Sequence, residues 1–314
     1  MFSSCIKAPP QYKVTIQMQL PQSVKALNKD NSEYKETLQI IKRRLNKAGL
    51  ELTENKVIGE NGEVELIIAG NIEENKLKNL LQINSDFSIR ETNKNNKVFA
   101  YLMKLNNALK TKNDTLPVKK PESREEISDQ PLFSKLMPYI NEDNQPIEGP
   151  IVGLAREKDT AEIIEMLHSQ IASEILPENI DWMWEVLPKE NGYYSLIAVM
   201  KVKENNHLSG EYIKSTNIQY EKHMYSYSVL FQLNDEGTKI WADLTKKNIH
   251  RSLAMVLDKR VYSAPVVQSE ITGGSAMISG NFTKEQAEDL ASLLLYGGKA
   301  FPLKFKILKV EELE

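Results

Sequence analysis

Cysteine is almost missing from this chain: Cys5 is the only one in 314 residues. One thiol closes no intramolecular disulfide and builds no cysteine-based metal centre. Histidine is scarce as well. The four stand at 168, 207, 223 and 250, and no two have the i, i+4 spacing of metal ligands on a helix. No metal site is expected, and no cofactor. A basic surplus is also lacking: 40 lysines and arginines face 43 acids, for a net charge of −3 and a pI near 6.0. A nucleic-acid protein usually shows a basic stripe, so that class is disfavoured. No stretch approaches the ~20 consecutive apolar residues of a membrane helix. None of these shortages prevents folding. With 41% hydrophobic and 26% charged residues the chain can bury a core, and its length suggests about two domains.

Glycine is sparse too, and unevenly spread. Five of the fourteen fall in EITGGSAMISGNFTKEQAEDLASLLLYGG, residues 270–298. A phosphate-binding loop would need a lysine and a hydroxyl residue after the glycines, opening directly into a helix. Gly273 and Gly274 are instead followed by Ser275-Ala276 and a strand-like SAMIS. The next helix has its own cap, with Thr283 and Gln286 spaced as a capping box. Phosphate binding is therefore not expected. Gly273, Gly274 and Gly280 are read as structural turns, with at least one of the Gly273-Gly274 pair at positive φ.

Period-two and period-3.6 patterns divide the chain. YKVTIQMQL alternates, placing Tyr12, Val14, Ile16, Met18 and Leu20 on one face of a half-buried strand. A helix follows, with Tyr34, Leu38, Ile41 and Leu45 inward and Gly49 as its stop. Next come a hairpin about Asn61-Gly62, a short helix with Leu77, Leu80 and Leu81 inward, and a strand DFSIRET. That order, β-α-β-β-α-β, predicts a split βαβ lobe over 12–93. Residues 94–130 read as a short helix and then a charged, proline-containing mobile linker. Segment 131–207 reads as α+β. It contains a strand at GPIVGLA, a helix capped by Asp159 and Glu162, and strands DWMWEVL and YYSLIAVMKV. Trp182 and Trp184 share a face and are expected in the core.

Residues 208–310 read as a second such lobe. YSYSVLFQL puts Tyr225, Tyr227, Val229, Phe231 and Leu233 on one face. A helix follows, then two strands about a tight turn at Asp258–Arg260, with Pro265 at an edge or bulge. After SAMIS and the capped helix comes a last strand, PLKFKIL. The predicted class is α+β, with two or more ferredoxin-like lobes of antiparallel sheet. No nucleophile–base pair or carboxylate pair can be ranked, and Asp243, Asp258 and Asp289 are scattered acids on expected surfaces. No catalytic residue is assigned.

The N-terminus reads MFSSCIKAPPQYK, and small residues before Cys5 look like the end of a lipoprotein signal. The upstream basic and apolar parts of such a signal are not in the sequence. Cys5 is the candidate lipidation site, with Lys7–Lys13 as a tether.

The segment LAMVLDKRVYSAPVVQSEITGGSAMISGNFTKEQAEDLASLLLYGG resembles the first extracytoplasmic domain of SecD, a membrane subunit assisting the bacterial Sec translocase. The shared features are Val256–Asp258, Ser263–Pro265, Ile271–Gly274 and Ile278–Thr283. LSGEYIK, FQLNDEGTKIWADLT and the upstream helix LQIIKRRLNKAGL are also similar to family segments. There are departures. SecD has membrane helices carrying its proton-coupling residues, and this chain begins and ends where two of them would adjoin. The family's glycine after the Asp is Lys259 here, and YKVTIQMQL lacks the family's Gly-Gly.

The resemblance implies a non-catalytic, extracytoplasmic module of base-plus-head architecture. Such a module would bind unfolded or translocating polypeptide, or assist export or envelope assembly, without a proton-driven membrane part. Sec translocase components would be further partners, and the membrane would be reached through Cys5 or a flanking helix. The expected peptide rim runs from Ser263 to Met277, with Tyr262, Pro265, Val267, Ile271 and Met277 supplying its apolar surface. The other readings are a purely structural partner of an envelope complex, or an enzyme with an unrecognised site.

Overall fold

The computed structural model describes residues 9–20, 27, 30–59, 61–83, 85–111, 131–189, 191–202, 207–298 and 301–313. Cys5 and most of the expected linker lie outside these residues. The chain forms two units: residues up to 85 together with those from 292 onward, and residues 86–291.

In the first unit, β1 (Gln11–Met18), β2 (Glu51–Ile58) and β3 (Glu63–Ala69) join β15 (Phe305–Leu313) in the order β15-β1-β3-β2, each neighbouring pair antiparallel. Helices α1 (Ser32–Lys47) and α2 (Glu74–Gln82) cover one face. Alternation along β1 puts Val14, Ile16 and Met18 inside, at 0–1% exposure. Tyr34, Ile41 and Leu45 of α1 and Leu77 and Leu81 of α2 meet them. Asn31 caps α1, its side chain accepting the Tyr34 N–H.

This is the ferredoxin-like order, with one correction. DFSIRET does not supply the fourth strand. The C-terminal strand does, pairing Met18 with Phe305 and Gln11 with Leu313. The physical reason lies in the two patterns. β4 (Phe87–Glu91) is buried at four consecutive residues, Phe87, Ser88, Ile89 and Arg90, as a central strand requires. β15 keeps Lys306, Leu308 and Lys309 exposed, as an edge strand with one solvent face can.

The second unit contains the remaining elements. After α3 (Asn95–Thr111) come β5 (Met137–Pro138), β6 (Ile151–Arg156), α4 (Glu157–Leu167), α5 (Gln170–Ile175), β7 (Ile180–Trp184) and β8 (Tyr193–Met200). Then follow β9 (His207–Ser209), β10 (Ile213–Glu221), β11 (Ser226–Leu233), α6 (Asp235–Lys247), β12 (Leu253–Leu257), β13 (Arg260–Ser263), β14 (Ser275–Phe282) and α7 (Lys284–Ser292). The sheet orders are β13-β12-β4-β9, β5-β6-β8-β7 and β10-β11-β14. Single bridges Thr92↔Val199 and Glu185↔Val261 link the first two sheets. Strands β7, β8, β4, β12 and β13 thus follow one another around a small core of Met183, Ile197, Val199, Ala254, Val256 and Val261. Trp182 and Trp184 face a separate core, with Leu102, Leu132, Ile163 and Leu196.

Local expectations differ at three places. The helix over 157–175 starts at Glu157, so Asp159 and Glu162 do not cap it, and it breaks at His168-Ser169. Ser169 restarts it by accepting the Ala172 N–H. Tyr225 lies in a turn rather than a strand, and β10, a mostly polar strand, has no expected counterpart.

Candidate functional site

A cleft of about 800 Å³ opens on the second unit, within the size range of ligand sites. Three short segments build it. The first is Glu185–Lys189 with Asn191, which leaves the end of β7 and returns into β8. The Glu185 N–H donates to the Ser195 carbonyl and the Lys189 N–H to the Tyr193 carbonyl, so both ends are fixed. An ion pair of 2.8 Å ties the Lys189 ammonium to the Glu185 carboxylate.

The second wall is Val261–Pro265. β13 stands at the edge of its sheet and ends at Ser263, two residues before Pro265. The Val186 N–H donates to the Val261 carbonyl, 2.9 Å, and pairing with this segment goes no further, since Pro188 has no N–H to give. The tight turn that begins β13 places Asp258 and Lys259 at φ 50° and 63°. Asp258 also holds the start of β4: its carboxylate accepts the Asp86 N–H at 2.8 Å, and its own N–H donates to the Asp86 carbonyl at 3.0 Å.

The third wall is Ser279–Asn281 in β14, again an edge strand. The register with β11 jumps here, Tyr227 facing Phe282 and Val229 facing Ile278. The extra residues bulge, and bulges re-aim the backbone beside sites. Gly280 permits this one: a Cβ there would stand 2.7 Å from the Phe282 ring. The Phe282 ring in turn packs beside Tyr262, centroids 6.3 Å apart. Burial pushes the Tyr262 phenol pKa up; the Asp258 carboxylate adds to this and Arg260 opposes it. The phenol is therefore a neutral hydrogen-bonding group at physiological pH. The walls mix apolar faces (Leu187, Pro188, Ala264) with hydroxyl and amide groups (Ser263, Ser279, Asn191, Asn281).

Of the residues expected at a peptide rim, Tyr262 and Pro265 line this cleft. Val267 does not. It is buried, and its N–H and carbonyl bond Arg251 and His250. Ile271 and Met277 are exposed, and neither lines the cleft; the Ile271 N–H donates to Thr245 Oγ1. Gly274 has φ 66°, and a Cβ there would lie 2.1 Å from Thr238 Oγ1. Gly273 is unconstrained on both counts. Thr283 and Gln286 cap α7 reciprocally, at 2.9 and 3.2 Å. The wall at 185–189 and 191 and the bulge at 279–281 were not among the expected site residues. Pro188 and Asn191-Gly192 marked a turn in the first, but nothing local marks the bulge. Among the described residues no group of three or more His, Cys, Asp or Glu is placed to hold a metal ion.

Fold and cleft define an α+β module of small antiparallel sheets, with a bulged edge strand at a cleft of mixed polarity. Residues 185–299, which contain all three walls, match the family model of the SecDF P1 head subdomain. Among relatives, it is 32% identical over 165 residues to the protein translocase subunit SecD of Rhodothermus marinus, covering 51% of this chain and 26% of that protein. To SecD of Sebaldella termitidis it is 33% identical over 164 residues, covering 52% of this chain and 35% of that protein. It is 41% identical over 102 residues to SecD of Syntrophobacter fumaroxidans, covering 32% and 19%. These matches span about a fifth to a third of the relatives' length. A solved SecDF, described as a membrane component that enhances protein export, is 17% identical, covers 95% of this chain and 98% of that one, and has a TM-score of 0.44. Among the described residues no helix is long and apolar enough to cross a membrane.

Proposed function

We propose that this chain is a non-catalytic, extracytoplasmic export accessory that holds extended, unfolded polypeptide in the cleft, with Sec translocase components as further partners. The observation that carries the reading is the meeting of two edge strands, β13 and the bulged β14, at one cleft. Edge strands offer backbone N–H and carbonyl groups to an incoming strand whatever its sequence. Apolar walls beside them take alternate side chains. Such a site grips weakly and releases without a cofactor, which suits a client in transit. Anchorage through lipidated Cys5 belongs to the same reading, and a single acyl chain would anchor only marginally.

The test is titration of the full chain with a reduced, permanently unfolded client while amide exchange is followed. Protection should develop at 261–265 and 279–281. Protection confined to other segments would move the site. No interaction up to roughly millimolar client, the weak end of measurable affinity, would leave a purely structural partner as the better reading.

A further inference from the structure

We propose that the β10–β11 turn, Lys222–Tyr225, is a contact point for an anionic lipid surface. The two strands pair from Ile213↔Leu233 to Glu221↔Ser226 and form a long hairpin. Its turn is closed by the Met224 N–H donating to the Glu221 carbonyl at 3.1 Å. Tyr225 is 85% exposed, Met224 54% and Tyr220 46%. Three large side chains within six consecutive residues therefore stand in water, the tightest grouping of this kind among the described residues. Apolar surface gains by leaving water, and these three stand together on one hairpin rather than scattered singly.

The chemistry of the tip selects the partner. The turn itself is Lys-His-Met-Tyr and contains no acid. Glu221, at its base, has one carboxylate oxygen buried. Tyrosine is at home at the membrane–water boundary, where its ring meets acyl chains and its hydroxyl stays wet. Lysine lays its methylenes along apolar surface and keeps its charge at the headgroups, where anionic lipids attract it. Area argues against a protein partner. A stable complex needs about 800 Å² from each side, some 20–30 residues. Here the tip is four residues, and behind it β10 presents Lys214, Ser215, Asn217 and Gln219 to solvent. A bilayer asks for no complementary surface around the tip.

The full chain carrying Cys5→Ser and Met224→Cys takes one environment-sensitive fluorophore at the tip, because Cys5 is the only native cysteine. Vesicles of phosphatidylcholine with phosphatidylglycerol should shift the emission to the blue, and phosphatidylcholine alone should do so much less. The shift should weaken with added salt. The double variant Met224→Ser/Tyr225→Ser should lower vesicle partitioning by about tenfold, or about 1.4 kcal/mol. Its melting temperature should not change, since both side chains are exposed. Three results overturn the proposal: no partitioning; an equal shift from a label at Ala100→Cys on α3; or a shift that follows protein concentration without lipid, which would make the tip a contact between copies.

Discussion

Lys259 stands at φ 63°, in a region that costs an L residue roughly 1–2 kcal/mol. The turn it shares with Asp258 has positive φ at both central positions, the geometry in which glycine is favoured. Lys259→Gly is expected to raise stability by about 1 kcal/mol, read as a higher urea midpoint at unchanged slope. Gly274→Ala should do the reverse. Its φ of 66° and the 2.1 Å approach to Thr238 Oγ1 act together, and a loss of about 2 kcal/mol is expected. Lys47 gives a pH signature. Its ammonium donates to the Leu295 carbonyl at 2.9 Å, and burial, with help from Arg43 and Arg44, pulls its pKa down to about 8. An unfolded lysine holds its proton to about pH 10.4. Between those values the unfolded chain binds more protons, so stability should rise as pH rises from about 8 toward 10. Below pH 8 the cost of the buried charge is felt in full. Urea unfolding at pH 7.5 and 9.5 should show this rise in the wild type and a reduced one in Lys47→Met.

At the level of elements, the strand that completes the first unit is the most distant one in sequence. β15 pairs with β1 along the whole length of both. Removing residues 305–314 should therefore abolish amide protection at 11–18 and 63–69. Protection that persists there would mean that β1 and β3 do not depend on β15. The N-terminal β-α-β-β-α run was legible, because period-two and period-3.6 patterns report which face of each element is buried. Which strand came fourth was not legible. DFSIRET and PLKFKIL are both acceptable strands, and local pattern does not state pairing. β10 was missed for a related reason. Its burial pattern follows no clean alternation, because as the outer strand of a three-stranded sheet it leaves most side chains in water.

For the molecule as a whole, the second unit is an insertion between α2 and β15. The two points where the chain leaves and re-enters the first unit lie together: Ser85 Oγ donates to the Leu293 carbonyl at 3.4 Å, and a Cβ on Gly297 would touch Ser85 Oγ. Arg44 joins them from α1. Its guanidinium donates to the Ile83 carbonyl on one side and the Gly297 carbonyl on the other, and lies 4.0 Å from the Phe301 ring centroid. Replacing 86–291 by a short flexible linker should leave a folded four-stranded unit, because closing a short loop costs little entropy. Circular dichroism and a cooperative melt would show it; a molten product would mean that the first unit needs the insert.

The sequence by itself determined the α+β class, the capping box at Thr283, the cores under alternating strands, and the SecD-like signature from Val256 to Thr283. All of these depend on neighbours a few residues apart, or on residue identities read in order. The tertiary structure decided the partner of β1 and the walls of the cleft. Tyr262 and Pro265 meet Leu187 and Gly280 only through sheet pairing across tens of residues, and the bulge at 279–281 exists only as a mismatch against β11. Val267 shows the limit most plainly. Local pattern makes it apolar, but only the packed chain turns it inward, where its backbone bonds Arg251 and His250.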